Sequence, residues 1–165
     1  MDQNNDKLRR WPYAAILASR RTIYHPEDSD SCRLIQDHRK LGSKLCMAIL
    51  HGDNRQAQQL IDAGAPVNHQ DQPDGWTPLI YSIYYNNPDG RELLIDRGAD
   101  LFLPDFSGRN LLMFAALTGN CELVGELIRL GISPELTDSR GRTALDFANS
   151  AQCLECIELL SQLKR

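Results

Sequence analysis

Glycine recurs in this chain with a fixed period. Gly75, Gly108 and Gly141 stand 33 residues apart, and Leu79, Leu112 and Leu145 follow them at the same spacing. A second set, Gly64, Gly98 and Gly131, steps by 34 and then 33. The extra residue lies between Gly64 and Gly75, an interval of 11 where the two later units have 10. Three sets in one register constrain the fold strongly. A period of this length marks stacked supersecondary units, each of which buries its apolar face only against its neighbours.

The chemistry inside the units repeats as well. The segments DGWTPLIYSIYYNN, SGRNLLMFAALTGN and RGRTALDFANSAQ each run from a glycine turn through Thr or Asn into a short helix. Thr77 suits an N-cap and Pro78 the first helical position, where its missing N–H costs nothing. Small residues, Ser82, Ala115, Ala116 and Ala148, permit close approach of a neighbouring helix. After Asn87, Asn120 or Ala151 a second helix begins. In CELVGELIRLG the residues Leu123, Val124, Leu127 and Ile128 form one apolar stripe, and Gly131 ends it as a C′ residue. The matching positions are Leu93, Leu94 and Ile95 in one unit and Cys156, Ile157 and Leu160 in another, and an earlier degenerate copy runs from Ser43 to Asn68. The pattern predicts four helix-turn-helix units joined by hairpin-like loops.

Residues 41–165 therefore resemble the ankyrin repeat family, with repeats near 41–70, 71–104, 105–137 and 138–165. The resemblance rests on Asp74-Gly75-Trp76-Thr77-Pro78-Leu79, Gly98-Ala99-Asp100, Asp105 through Gly108, Asp138 through Leu145, and Gly64-Ala65 with Asn68. It implies an all-α solenoid of stacked helix pairs with projecting hairpin loops. The His that usually follows TPL is replaced by Ile80, Met113 and Asp146, which implies a modestly stable array. Residues 1–40 lie outside the period. They are expected to form an N-terminal helical cap, with helices at Pro12 to Tyr24 and Cys32 to Leu41 around a polar linker from His25 to Ser31. The alternative is a docking segment around Arg9, Arg10, Trp11 and Tyr13.

Residues 1–40 carry 8 Lys and Arg against 6 Asp and Glu, and the remainder 10 against 16. An acidic body argues against nucleic acid, whose phosphates require a clustered basic face. The apolar run Ala14 to Ala18 is shorter than a secretory core, and no stretch approaches the length of a membrane span, so a cytoplasmic protein, monomeric when free, is expected. Five cysteines without a dense framework suit a reducing compartment. Cys153-Leu-Glu-Cys156 is a weak redox or zinc half-site, because no second Cys/His pair stands at ligand spacing; Cys156 reads as core and Cys153 as surface.

No catalytic motif emerges. His25, His38, His51 and His69 are scattered, no phosphate-binding glycine loop is present, and Asp71, Asp74, Asp105 and Asp138 read as turn residues. A non-enzymatic chain with no cofactor or metal is expected. The resemblance places the loops and the ends of the first helices on a concave face where family members commonly bind proteins. Carried onto this sequence, that face holds Asp74, Trp76, Tyr84, Tyr85, Phe106, Arg109, Leu117, Arg140 and Arg142. Tyr81 falls on the packing stripe with Phe114 and Phe147, whereas Trp76, Tyr84 and Tyr85 fall off it, and aromatics that packing does not need are what interfaces enrich. The expected role is that of a protein-binding module, with adaptor and inhibitor both open. The alternative reading is a stoichiometric inhibitor or immunity protein that occludes a toxin or enzyme active site.

Overall fold

The computed structural model describes residues 29–162, with side chains from Ile35 onward. Among them eight helices alternate with loops: α1 (Ser29–Leu50), α2 (Asn54–Asp62), α3 (Pro78–Tyr84), α4 (Pro88–Asp96), α5 (Leu111–Leu117), α6 (Cys121–Arg129), α7 (Ala144–Ser150) and α8 (Leu154–Gln162). No strand occurs among the described residues, and the one extended pairing there is an isolated bridge between Asp71 and Trp76. The compact body comprises residues 36–165. Within it α3, α5 and α7 pack on one another as an inner row, while α4 lies on α2 and α8 on α6 as an outer row.

Local chemistry sets each boundary. Thr77 accepts a hydrogen bond from the N–H of Ile80 at 3.2 Å, with Pro78 opening α3. Asn110 receives Met113 N–H at 3.0 Å, and Thr143 with Asp146 forms a capping box. Asn87 and Asn120 cap α4 and α6 by accepting from Gly90 and Leu123. The outer helices α2, α4 and α6 end at Gly64, Gly98 and Gly131, all with positive φ. Hairpins stack along the array through backbone bonds, Phe106 N–H to Asp74 C=O at 3.0 Å and Ser139 N–H to Ser107 C=O at 2.9 Å.

The core follows the period. Leu79, Leu112, Phe114, Ala115, Ala116 and Ala148 are buried, as are Ser82, whose hydroxyl donates to Leu79 C=O, and the α6 stripe of Leu123, Val124 and Leu127. Leu145 is only partly buried, packed against the same core. Ile80 and Met113, where the family pattern has His, are fully buried in the core, whereas Asp146 is exposed and serves its cap. In α4 the apolar triplet splits: Leu94 is buried, Leu93 half-buried and Ile95 exposed.

Two expectations about boundaries change, and a third is narrowed. The break between a cap helix ending at Leu41 and the first repeat is absent, since α1 runs without interruption from Ser29 to Leu50. Gly42, the one helix-weakening residue near that point, is buried against the ring of His69, where a Cβ would overlap the imidazole; its small size serves packing. The linker expected from His25 to Ser31 is already helical from Ser29. The extra residue expected between Gly64 and Gly75 is located in the hairpin after Asp71, because Asp71 N–H reaches Trp76 C=O whereas Asp105 and Asp138 reach Arg109 and Arg142. The helix expected at Pro12 to Tyr24, the segment around Trp11 and the basic end at Lys164 and Arg165 lie outside the described residues.

Candidate partner-binding surface

One equivalent position in the first helix of successive repeats is aromatic, Tyr81, Phe114 and Phe147, and the hairpin end beside each carries a cation or a ring. Arg109 lies over Phe114 with its guanidinium carbon 5.0 Å from the ring centre, and Arg142 lies 4.5 Å from that of Phe147. In the second repeat Trp76 takes the equivalent place, 5.3 Å from Tyr81 and edge-on to it. Trp76 also meets Phe114 at 5.2 Å and Tyr84 at 4.9 Å, and the Arg109 guanidinium at 5.8 Å. The expectation that Trp76 stands apart from the packing stripe is thereby corrected: its ring is half-buried against the core, wedged between two repeats. Its indole N–H is buried without a hydrogen-bond partner. Tyr81 is half-buried too, and its hydroxyl reaches Asp71 at 3.4 Å; burial, with the Asp71 charge adding to it, pushes the phenol up to about 12.

Outward from this wedge the rings become exposed. Tyr84 is 41% and Tyr85 49% exposed, in edge contact at 5.2 Å, and Tyr85 lies nearly parallel to Tyr81 at 6.2 Å. Phe106, 54% exposed, sits on the next hairpin with its ring over Gly75, the residue before Trp76. Five of the nine positions expected on the binding face are thus one neighbourhood: Trp76, Tyr84 and Tyr85 by ring contact, Phe106 through Gly75, and Arg109 over Trp76. Asp74 is exposed and joins them through its carbonyl bond to Phe106. Leu117 is partly buried against the core, and Arg140 is exposed on the third hairpin.

Arg109 and Arg142, expected on the binding face, are each tied into their own hairpin. Arg109 Nε holds Asp105 Oδ2 at 2.6 Å, and Asp105 Oδ1 accepts the N–H groups of Ser107 and Arg109. Arg142 repeats this on Asp138 through Nε at 2.9 Å and Nη2 at 2.8 Å. Both aspartate side chains are buried. Burial alone would raise the Asp138 carboxyl, but hydrogen bonds from the Arg142 and Arg140 backbone and the Arg142 side chain outweigh it and hold the group below the usual carboxylate range. These arginines build the hairpins before they meet anything else. Their signal was available: Asp-x-x-Gly-Arg occurs twice, 33 residues apart.

Sequence spacing also concealed a trio of Ser43, His69 and Asp71. Ser43 Oγ donates to Asp71 Oδ1 at 2.9 Å and lies 3.2 Å from His69 Nε2, while the same His69 nitrogen is 3.7 Å from Asp71. A nucleophilic relay requires the base between serine and carboxylate, the carboxylate holding the far ring nitrogen. Here carboxylate and serine share one side of the imidazole, so Asp71 holds the serine proton directly. The trio ties α1 to the first hairpin. Burial lowers the His69 pKa, and Arg39 and His38 lower it further, against the opposing pull of Asp71.

The cysteines depart most from expectation. Cys156 is fully buried, as the pattern implies, but it is joined to Cys121 by a disulfide between the third and fourth repeats. Cys153 is half-buried rather than a surface residue, its sulfur 3.3 Å from that of Cys121. Cys46 is free and buried, and burial, reinforced by the Asp71 charge, pushes its thiol far up.

Stacked helix pairs joined by bonded hairpins define an ankyrin-type repeat protein, and comparison with known families agrees. A family model described as ankyrin repeats, three copies, matches residues 45–138 and 92–164. The chain belongs to the ankyrin repeat family. It is 35% identical over 120 residues to chicken (Gallus gallus) inversin, an alignment covering 73% of this chain and 11% of that one. It is 38% identical over 104 residues to the ankyrin repeat domain-containing protein SAT10 of Stachybotrys chartarum, covering 63% and 5%, and 37% identical over 79 residues to human 2-5A-dependent ribonuclease, covering 48% and 11%. The matched region thus spans about a tenth or less of each of these relatives. Among the described residues no helix is long and apolar enough to cross a membrane.

Proposed function

We propose that this chain is a non-enzymatic protein-binding module that takes its partner on the aromatic surface of the second and third repeats. The observation that carries the reading is the pair Tyr84 and Tyr85, both more than two-fifths exposed yet in edge contact with each other, Tyr84 against the half-buried Trp76 and Tyr85 stacked on Tyr81. Tyrosines ordered by their neighbours lose little conformational freedom on docking, which is why such residues become binding hot spots. Phe106 extends the apolar area to the next hairpin, and Asp74 and Arg140 supply polar contacts at its rim. Family membership supports the general role, since ankyrin repeats serve as interaction surfaces.

The test is affinity purification with the intact chain and with Tyr84→Ala, Tyr85→Ala double variant as bait, followed by measurement of Kd for any protein retained. The reading requires a partner lost by at least about tenfold in affinity on removing the tyrosines, with thermal unfolding nearly unchanged. A partner held equally well by the variant overturns it. The same complex separates the two modes of action: an adaptor holds two partners at once, and an inhibitor abolishes the activity of one in a one-to-one complex.

A further inference from the structure

The sulfurs of Cys121, Cys153 and Cys156 all lie within 4.8 Å of one another, at the joint between the third and fourth repeats. Cys121 opens α6, Cys153 precedes α8 and Cys156 lies in its first turn. A disulfide employs two of these sulfurs and gives no reason for the third. Repeat register sharpens the point. Asn87 and Asn120 cap the two preceding outer helices through their side-chain oxygens, and 33 residues further on stands Cys153. Exchange of an Asn N-cap for a residue without that oxygen sacrifices a capping hydrogen bond. What the position gains is a sulfur within reach of two others.

We infer that the three thiols form a site for a thiophilic d10 metal ion, of which Zn2+ is the natural probe. Cys153 and Cys156 have the C-x2-C spacing of zinc half-sites, and residues three apart in a helical turn share a face. Cys121 supplies the third sulfur from the adjoining repeat, the element that the sequence alone did not provide. Zinc bonds of about 2.3 Å to each sulfur place tetrahedral sulfurs about 3.8 Å apart. The Cys121 to Cys153 distance of 3.3 Å is close to that, and the bonded Cys121 and Cys156 have only to separate on reduction. Cys156 is buried while Cys121 and Cys153 are half-buried, so the fourth position faces the solvent side, where water completes the coordination.

Disulfide and metal are alternative states of the same sulfurs. A dithiol reductant breaks the Cys121 to Cys156 bond, becomes a disulfide itself and leaves its two hydrogens on the two cysteines. Zn2+ then binds the three sulfurs and releases three protons, giving a site of net charge −1. In either state α6 is stapled to α8, and the terminal repeat is held to the array.

The experiment uses the full chain, reduced by a non-chelating phosphine and titrated with Zn2+ alone and, for its thiolate charge-transfer bands, with Co2+ alone. One equivalent of metal is expected to bind, to yield an intense near-ultraviolet Co2+ band and to raise the melting temperature by about 5 °C or more. Cys153→Ser is expected to weaken Zn2+ binding about 100-fold or more, while Cys46→Ser leaves it unchanged. Failure of the reduced wild-type chain to bind Zn2+ in the micromolar range overturns the inference, whatever the variants do. So does unchanged binding in Cys153→Ser, or an equal loss in Cys46→Ser. Circular dichroism of each variant separates lost ligation from lost fold.

Discussion

Arg109 grips Asp105 with the edge of its guanidinium and covers the ring of Phe114 with its face, at 2.6 Å and 5.0 Å respectively. One side chain thereby closes a hairpin and seats that hairpin on the helix that follows. The Asp105 side chain is fully buried and that of Arg109 one-fifth exposed, whereas Arg142 in the matching pair is 42% exposed. Removal of the cation leaves a buried carboxylate whose remaining partners are backbone N–H groups. Arg109→Ala is expected to cost about 3 kcal/mol and Arg142→Ala distinctly less, because water reaches the Asp138 pair more readily. Arg109→Lys keeps the charge but loses the planar fork and the stacking, so it falls between. Urea unfolding of the three variants gives the order directly; equal losses for Arg109→Ala and Arg142→Ala contradict the argument.

Acid should act on the same device in the third hairpin. The Asp138 carboxyl titrates below its ordinary value, so its contribution to stability is complete above roughly pH 4, the value in the unfolded chain. As pH falls from there through the native value, the unfolded state takes up its proton first and the contribution disappears. Asp138→Asn keeps an oxygen for the Arg140 and Arg142 N–H groups and removes the titration. Melting temperature plotted against pH should therefore fall less steeply below about pH 4 in Asp138→Asn than in wild type. Parallel curves count against the assignment.

The period was legible because repeats enforce it twice, once through glycines where the chain turns and once through leucines where helices bury. Caps at Thr77 and Asn110 were equally plain, since the acceptor stands immediately before its helix, whereas Asn87 and Asn120 were legible only as breaks and prove to be caps as well. Contacts that cross repeats in three dimensions were not legible. Nothing local in the sequence brings Ser43 and Asp71 to the same nitrogen of His69, or sets Phe106 on Gly75. The burial of Trp76 is hidden for a related reason. Its position lies off the helical stripe in sequence, but the hairpin returns it to the stripe in the place that Arg109 and Arg142 occupy in the later repeats. The three cysteines became a cluster only once the repeats were laid over one another, which puts Cys153 in the Asn120 position and beside Cys121.

Gly75 has φ +76 and lies beneath the Phe106 ring, so two separate demands exclude a side chain there. Gly75→Ala is expected to destabilise the chain by about 1–3 kcal/mol, part from the left-handed backbone and part from displacement of the ring. Phe106→Ala, which removes an exposed ring, should cost about 0.5 kcal/mol or less. In the double variant the steric part disappears and the backbone part stays, so the combined loss should be smaller than the sum of the two. Strict additivity in a double-mutant cycle contradicts the contact.

The decisive contrast lies between Tyr85 and Trp76. Tyr85 is 49% exposed at the end of α3, so its truncation exposes no core. Tyr85→Ala should shift stability by about 0.5 kcal/mol or less while weakening partner binding at least tenfold. Trp76 touches Tyr81, Tyr84 and Phe114 at once, so Trp76→Ala opens a gap between repeats and releases the tyrosines it supports. It should cost about 3 kcal/mol of folding and weaken binding as well. Trp76→Phe preserves most of the ring contact and sacrifices no hydrogen bond, because the indole N–H has no partner; it should recover the greater part of both losses. Binding unaffected by Tyr85→Ala, with the full effect confined to Trp76→Ala, would make the cluster a structural wedge and move the interface away from these repeats.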